Sequence, residues 1–316
     1  MSVCIATICR HPNGTPMIVG VSDRMITVGD VQLEPYVSKV FPLTSSIFLL
    51  TAGESSINAE IVTGSKQAVA ARLKTDESWM TVEEAARMVA KQVRVYLMRV
   101  GDEQHLEPLG LTRQSFLQVP NQKTDWWQNT FNQLFAVDTG SDLIVAGVDE
   151  TGAHVWKIDG KGKVWCHDPA GYAAAGIGQR HAEAQFQADL HHADRDFAQA
   201  VVLTYKAKKK AEVAPGVGRI FTDVSVVMGL GGYTPLGWEP DILFLETLYR
   251  SFAVAEEELI NKHHDEIQKQ FQAMAQRTRG GSDDQTPPPS VSPSPSASPS
   301  PSASASPERP NGEGDD

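Results

Sequence analysis

The sequence predicts an α+β fold in which two antiparallel sheets pack together and helices cover their outer faces. Three observations predict it. Residues 1–53 are dense in short β-forming runs separated by turn signals. Residues 143–165 contain further strand-like runs joined by Asp-Glu-Thr-Gly and Asp-Gly-Lys-Gly turns. Between and after these regions, residues 55–100 and 194–208 place apolar side chains at helical spacing, which favours helices laid on the sheets.

The first strands form a hairpin. Residues 1–9 are an apolar run that fits a buried strand, and residues 10–16 carry a Pro-Asn-Gly turn signal. A second strand, Met17 to Ser22, completes the hairpin and is followed by Asp23 and Arg24. Further β-forming runs predict four strands in all before Gly53.

Two helices follow. Residues 55–74 have helical spacing, and Ser55 or Ser56 can cap the start. The second helix begins after Thr81, whose TVEE sequence is a capping box, and we expect Gly101 to end it. Residues 102–135 predict an insertion with partial helix that either covers the active site, makes a subunit contact, or packs its tryptophans against the core.

The remaining elements complete the domain. The sequence AAAGIG (residues 173–178) predicts a glycine-rich turn before a helix, residues 194–208 predict another helix, and FTDVSVVMG (residues 221–229) predicts the last core strand. Residues 241–277 predict a long helix that extends beyond the core, and we expect it to make contacts between subunits more than within one.

We therefore expect three regions, namely a domain at 1–240, a helical extension at 241–279 and a tail at 280–316. The tail is rich in Pro, Ser and Ala and acidic, so it cannot bury a core and is expected to be disordered.

Composition excludes several function classes. The net charge of −11 argues against a nucleic-acid partner, and the basic cluster Lys206 to Lys210 is expected to be a solvated helix end. No run reaches the roughly 18 apolar residues of a membrane span, and the start lacks a secretory signal, so a cytoplasmic location is expected. The three cysteines show no metal spacing and are expected to be reduced.

Neither a metal nor an organic cofactor is expected. The group His191, His192, Asp194 and Asp196 resembles a ligand set, but aspartates at a helix start usually cap it.

Ser2 is the candidate nucleophile. Met1 is removed in cells when the next residue is small, so Ser2 would then carry both a hydroxyl and a free α-amine. An α-amine has a pKa of about 7.7–8.0, so it can accept the hydroxyl proton near neutral pH. A lysine held charged by a carboxylate would favour the alkoxide, and the candidates are Lys39 and Asp23. Gly53 is the candidate donor of a backbone N–H to the carbonyl oxygen under attack.

These residues carry a family resemblance. The strings VGVSDRMITVGD, VSKVFPL and FLLTAG, with the later GIG turn, resemble the β-subunits of proteasomes and their bacterial relatives, the N-terminal nucleophile (Ntn) hydrolases. The resemblance implies a four-layer α-β-β-α sandwich, the Ntn hydrolase fold, here with a long C-terminal helix and a disordered tail. It also implies that Ser2, Asp23, Lys39 and Gly53 are catalytic, while Thr27 lends main-chain groups to a substrate peptide.

By the same match, Thr51 and Ser55 would line the specificity pocket. The implied activity is that of a threonine-type or serine-type endopeptidase that acts through an acyl-enzyme on Ser2. The implied partners are a peptide or unfolded protein substrate, identical subunits in a ring or helical stack, and an ATP-dependent unfoldase. No nucleic acid and no membrane are expected.

The chain departs from the family pattern at several positions. Proteasome subunits normally have threonine in place of Ser2 and expose it by cleaving a propeptide, whereas removal of Met1 alone is expected to expose Ser2. Many members have a serine at the position of Ile177, and an aspartate and serine before the last core strand, where this chain offers only Glu212. Two alternatives therefore remain, a catalytically inactive proteasome-like scaffold or binding protein, and an amidase of non-peptide substrates.

Overall fold

The computed structural model describes residues 2–28, 31–76, 78–120, 122, 124–236 and 239–280. Its contacts divide the chain into two units, residues 1–256 and 257–316. In chain order the strands are β1 (Cys4–Arg10), β2 (Pro16–Asp23), β3 (Ile26–Val28), β4 (Val31–Leu33), β5 (Val40–Pro42), β6 (Ile47–Ala52), β7 (Asp142–Asp149), β8 (Gly152–Ile158), β9 (Val164–Cys166), β10 (Tyr172–Ala175), β11 (Thr222–Met228) and β12 (Tyr233–Leu236). The helices are α1 (Ser55–Thr75), α2 (Val82–His105), α3 (Arg113–Leu117), α4 (Asp125–Ala136), α5 (Gln179–Ala188), α6 (Phe197–Ala211) and α7 (Glu239–Gly280).

The prediction of a mixed fold with antiparallel sheets is confirmed. One five-stranded sheet has the order β10-β1-β2-β11-β12 and the other has the order β5-β6-β7-β8-β9. All the described strand pairs within them are antiparallel, and the β1–β2 hairpin sets Cys4 opposite Ser22. Strands β3 and β4 form a separate hairpin. The segment before Gly53 therefore contains six strands in three sheets, and not the four strands that its β-forming runs predicted.

The two five-stranded sheets share one apolar core. Strand β1 contributes Cys4, Ala6 and Ile8 to this core, and β6 contributes Phe48 and Leu50. Side chains alternate between the two faces of a strand, so the neighbours of these residues belong to other clusters. Burial of the shared face fixes the strand register, because a shift by one residue would exchange the core face for the outer face.

Helices cover both outer faces. Helices α1 and α2 pack on Leu49 and Val145 of the second sheet, and α5 and α6 pack on Ile5 of the first. A further cluster joins Val19 and neighbouring strand residues to α6 and to Ile242, near the start of α7. These packed faces position the ends of β2, β5 and β6, where the candidate site lies.

Several predicted boundaries were wrong. Helix α2 continues through Gly101 to His105, because a glycine inside a helix costs only about 1 kcal/mol and does not by itself end it. The strand predicted over residues 221–229 is followed by another, β12. Helix α6 begins at Phe197, and the Asp196 carboxylate caps it by accepting a hydrogen bond from the Ala198 N–H.

The insertion builds a small cluster of its own. Leu106, Phe116 and Leu134 form its buried centre. The Trp127 ring stacks on Phe116 at a centroid separation of 5.2 Å and donates its Nε1 hydrogen to the Phe116 carbonyl oxygen. Trp126 remains 45% exposed. The insertion thus packs one of its two tryptophans and leaves the other at the surface.

The structure also bears on the expectations about the basic cluster and about membrane spans. The basic cluster 206–210 is not simply solvated, because the Lys208 side chain is fully buried and its ammonium lies 2.6 Å from the Glu212 carboxylate. Within the described residues, no helix has both the length and the apolarity needed to cross a membrane. Residues 281–316 of the predicted tail lie outside the described residues.

Candidate active site

Asp23 is the centre of the candidate site. It is the last residue of β2, and its side chain has no exposure to solvent. Oδ1 accepts hydrogen bonds from the Val3 N–H at 3.0 Å and the Lys39 ammonium at 2.9 Å. Oδ2 accepts from the Met25 N–H at 3.2 Å and the Gly218 N–H at 2.7 Å. Four donors on one buried carboxylate fix its orientation.

Lys39 is held by this carboxylate. Its ammonium donates a second hydrogen bond to the Met25 carbonyl oxygen at 2.6 Å, and its side chain is 13% exposed. Its own carbonyl oxygen accepts from the Thr51 N–H at 3.1 Å, which ties the residue before β5 to β6. The structure therefore brings together the lysine and the aspartate that the sequence paired.

Ser2 lies beside this pair. Val3, the next residue, shares Asp23 Oδ1 with Lys39, so the Val3 nitrogen and the ammonium are separated by no more than the sum of two hydrogen-bond lengths. Ser2 is 1% exposed, and its hydroxyl oxygen has no hydrogen-bond partner among the described residues. A buried hydroxyl without a partner is rare and marks a candidate functional group.

Gly176 makes room for Ser2. Its φ is +89°, and a Cβ there would lie 2.3 Å from the Ser2 carbonyl oxygen. The same oxygen accepts a hydrogen bond from the Gly178 N–H at 3.4 Å. The glycine-rich turn after β10 thus packs against the start of the chain. Ile177, between the two glycines, is 48% exposed and has no polar side-chain atom to offer the site.

A cleft of about 970 Å³ adjoins the pair. Its lining includes Lys39, Thr27, Thr51, Gly53 and Ser55, which are five of the seven predicted site residues. Asp23 and Ser2 are buried and do not line it. The Thr27 hydroxyl oxygen is buried without a partner among the described residues. The predicted binding residues therefore share one cleft.

Gly53 follows β6 with a φ of +131°. A Cβ at this position would lie 2.2 Å from the Ser141 hydroxyl oxygen, so a neighbouring serine, and not a substrate, occupies the space that the glycine leaves. That hydroxyl accepts the Glu54 N–H at 3.2 Å. No hydrogen bond among the described residues uses the Gly53 N–H, which leaves this donor available at the edge of the cleft.

Two residues that support the site, Glu34 and Gly218, were not predicted from the sequence. Glu34 accepts hydrogen bonds from the N–H groups of Arg219, Ile220 and Phe221, at 2.7 to 3.0 Å, and so holds the segment that presents Gly218 to Asp23. Nothing in the sequence pattern around Glu34 indicates a partner so distant along the chain.

The buried residues around the site also constrain its chemistry. Cys4 donates its thiol hydrogen to the Thr51 carbonyl oxygen at 3.2 Å, and burial raises the pKa of the thiol to about 12. Cys4 is therefore a neutral thiol, which makes it a poor nucleophile. Burial lowers the pKa of Lys208, whose partner Glu212 partly opposes the shift. Glu212 is thus engaged by Lys208 and by the ammonium of Lys209 at 2.8 Å.

No family model matches the chain, and no curated protein matches it.

Metal binding has no candidate cluster in the described part of the chain. Three members of the group named from the sequence make other interactions. Asp196 caps α6, Asp194 pairs with Arg10, and His191 Nε2 lies 3.2 Å from the Gly171 carbonyl oxygen. Burial lowers the pKa of His191 to about 4, so its ring is neutral near pH 7.

Proposed function

We propose that this protein is an Ntn hydrolase of proteasome type that cleaves peptide bonds through an acyl-enzyme on Ser2. The observation that carries the proposal is the buried Asp23 carboxylate, which binds the Lys39 ammonium and the Val3 N–H next to Ser2 on the same oxygen. The positive charge of Lys39 thus lies within two hydrogen-bond lengths of the Val3 nitrogen, and the neighbouring residue Ser2 has a buried hydroxyl without a partner among the described residues. Lys39 also lines a cleft large enough for an extended peptide.

The proposed reaction uses two groups of one residue. After removal of Met1, the Ser2 α-amine accepts the hydroxyl proton while the oxygen attacks the peptide carbonyl. The nearby Lys39 charge favours the neutral amine and the developing alkoxide. The free Gly53 N–H donates to the carbonyl oxygen as it gains charge. The proton then passes to the leaving amine, and water cleaves the acyl-enzyme.

The packing of the elements is in keeping with the proposed four-layer α-β-β-α sandwich. The two sheets share a core, and helices pack on the outer face of each. The cytoplasmic location, the ring or helical stack of identical subunits and the ATP-dependent unfoldase are part of the same proposal and rest on the resemblance alone.

Intact-mass measurement of the purified protein tests the proposal. We expect loss of Met1, and then the mass gain of one inhibitor molecule after treatment with a peptide epoxyketone, which reacts with both the hydroxyl and the amine of an N-terminal residue. Peptide mapping should place the adduct on Ser2. A Ser2→Ala variant should lose Met1 but gain no inhibitor. A wild-type protein that retains Met1 and stays unlabelled would refute the proposal.

A second candidate function is a catalytically inactive scaffold. Two observations favour it, namely the apolar Ile177 in the glycine-rich turn and the burial of Ser2 outside the lining of the cleft. Retained Met1 together with tight peptide binding would support this scaffold. Labelling of Ser2 without cleavage of any peptide would instead support a non-peptide amidase.

A further inference from the structure

The α6–β11 loop, residues 212–221, supplies one of the four hydrogen-bond donors of Asp23. The Gly218 N–H donates to Asp23 Oδ2 at 2.7 Å, and a Cβ at this position would lie 3.1 Å from the same oxygen. The loop also packs against the start of the chain, because Val217 and Val3 belong to one buried cluster. The conformation of the α6–β11 loop therefore affects both the orientation of the carboxylate and the packing beside the candidate nucleophile.

Lys208 holds the beginning of this loop. Its side chain is fully buried, and its ammonium donates to the Glu212 carboxylate at 2.6 Å. The other carboxylate oxygen of Glu212 lies 2.8 Å from the Lys209 ammonium. The carbonyl oxygen of Glu212 accepts hydrogen bonds from the Arg219 guanidinium at 2.9 and 3.1 Å. Glu212 thus joins the last turn of α6 to the residue that follows Gly218.

Stability alone does not account for this buried ion pair. Lysine is among the residues that are least often fully buried, because its ammonium loses its hydration in the interior. Replacement of a buried ion pair by apolar side chains of similar volume often leaves stability unchanged or raises it. The pair of Lys208 and Glu212 therefore indicates a requirement for a defined geometry at the end of α6.

Lys208 is also the second lysine whose charge acts on Asp23. Lys39 binds this carboxylate directly. Burial lowers the pKa of Lys208, and the charges of Glu212 and, more weakly, of Asp23 oppose the shift. The Lys208 ammonium is therefore close enough to Asp23 for the two charges to interact. The end of α6 and the candidate site are thus neighbours in space as well as through the loop.

We propose that Lys208 is a positioning residue for the candidate site, because its ion pair with Glu212 holds the α6–β11 loop where the Gly218 N–H reaches Asp23. The inference rests on the proposed function in taking Asp23 as part of the machinery that serves Ser2. Lys208 does not line the cleft, so it acts on the reaction only through the position of other groups.

Hydrogen–deuterium exchange read by mass spectrometry measures the loop directly. In the wild-type protein the N–H groups of residues 218–221 donate to the carboxylates of Asp23 and Glu34 and should be protected. In Lys208→Met we expect these amides to exchange at least about tenfold faster. Peptides from β6 and β7 should exchange as in the wild type, which distinguishes opening of the loop from destabilisation of the whole domain.

A double variant keeps the test valid if an unpaired carboxylate disturbs the fold. Lys208→Met with Glu212→Met replaces the ion pair by two apolar side chains, and we expect it to melt close to the wild-type temperature. Its loop should nevertheless exchange as fast as that of the single variant, whereas a role in stability alone predicts wild-type exchange. Lys210→Met is the matched control, since it removes an exposed lysine from the same turn of α6 and should leave the exchange unchanged.

Inhibitor labelling then relates the loop to the proposed reaction. We expect the maximum rate of Ser2 labelling by a peptide epoxyketone to fall by about tenfold to 100-fold in both Lys208 variants, since a small misplacement of reacting groups has effects of this size. The inhibitor concentration that gives half the maximum rate should stay unchanged, because Lys208 does not line the cleft. An effect confined to that concentration would contradict a positioning role.

The two measurements fail in different ways. Wild-type exchange of the loop in both Lys208 variants would overturn the inference, whether or not Ser2 is labelled. Faster exchange with an unchanged labelling rate would also overturn it, because the loop would then have no bearing on the reaction. Absence of labelling in the wild-type protein would refute the proposed function, and the exchange measurement would still decide whether Lys208 positions Gly218.

Discussion

Replacement of Lys39 by methionine would show whether the pair of Lys39 and Asp23 differs in its energetics and chemistry from an ordinary surface ion pair. The substitution keeps a long side chain and removes an ammonium that donates to the Asp23 carboxylate and to the Met25 carbonyl oxygen. Asp23 would remain buried, with only its three backbone donors.

The expected loss of stability follows from that geometry. Breaking a buried ion pair by removing one partner costs about 3–5 kcal/mol, and the lower end applies because three N–H groups still bind the carboxylate. At about 2–4 °C per kcal/mol for a domain of this size, a loss of 3 kcal/mol lowers Tm by about 6–12 °C. The inhibitor-labelling rate of Ser2 should fall by at least about 100-fold, the usual contribution of a group that assists proton transfer.

Differential scanning fluorimetry and timed intact-mass spectra would measure both effects. Lys91→Met is the control, because Lys91 is an exposed lysine in the middle of α2. The reasoning is refuted if Lys39→Met melts within about 2 °C of wild type, which would correspond to less than about 1 kcal/mol. An unchanged labelling rate would show that the lysine has no part in the chemistry.

Two further variants address the turn and the pH dependence. Gly176→Ala would set a Cβ against the Ser2 carbonyl oxygen at a positive φ, which costs about 1–3 kcal/mol. It should lower Tm and slow Ser2 labelling, and labelling at the wild-type rate would contradict the described packing. His154 has a raised pKa, chiefly because its Nδ1 bonds to the Asp168 carboxylate at 2.6 Å. Its stabilisation is complete below its unfolded pKa of about 6.5 and is lost as pH rises through the higher folded value. His154→Gln should therefore reduce the fall in Tm between pH 6 and pH 9, and identical pH profiles would exclude this role.

Local sequence signals predicted most of the elements. The hairpin of β1 and β2 followed from an apolar run and a Pro-Asn-Gly turn, and α1 and α2 followed from their apolar spacing. Where tertiary packing competes with a local signal, the prediction failed. Glycine has a low helix propensity, yet α2 continues through Gly101 to His105, and Leu134 of α4 lies in contact range of this position.

The site was predictable only where its residues lie close in sequence. Asp23 and Lys39 were paired as the carboxylate and lysine that an N-terminal nucleophile needs, and the structure joins them at 2.9 Å. The contributions of Glu34 and Gly218 could not be predicted, because they depend on which loop the fold brings beside β2. The burial of Lys208 was missed for the same reason, since a lysine-rich helix end is usually solvated.

The hydrogen bond from the Gly218 N–H to the Asp23 carboxylate affects when the site can form during synthesis of the chain. Asp23 emerges from the ribosome early, whereas one of its four donors is encoded almost two hundred residues later. Glu34 and the Arg219 N–H that it binds are also far apart in the sequence. In a nascent chain that does not yet include Gly218 and Arg219, the Asp23 carboxylate lacks one of its hydrogen-bond donors. The chemistry proposed for Ser2 would therefore begin only after the whole domain has folded. Such latency would protect neighbouring nascent proteins.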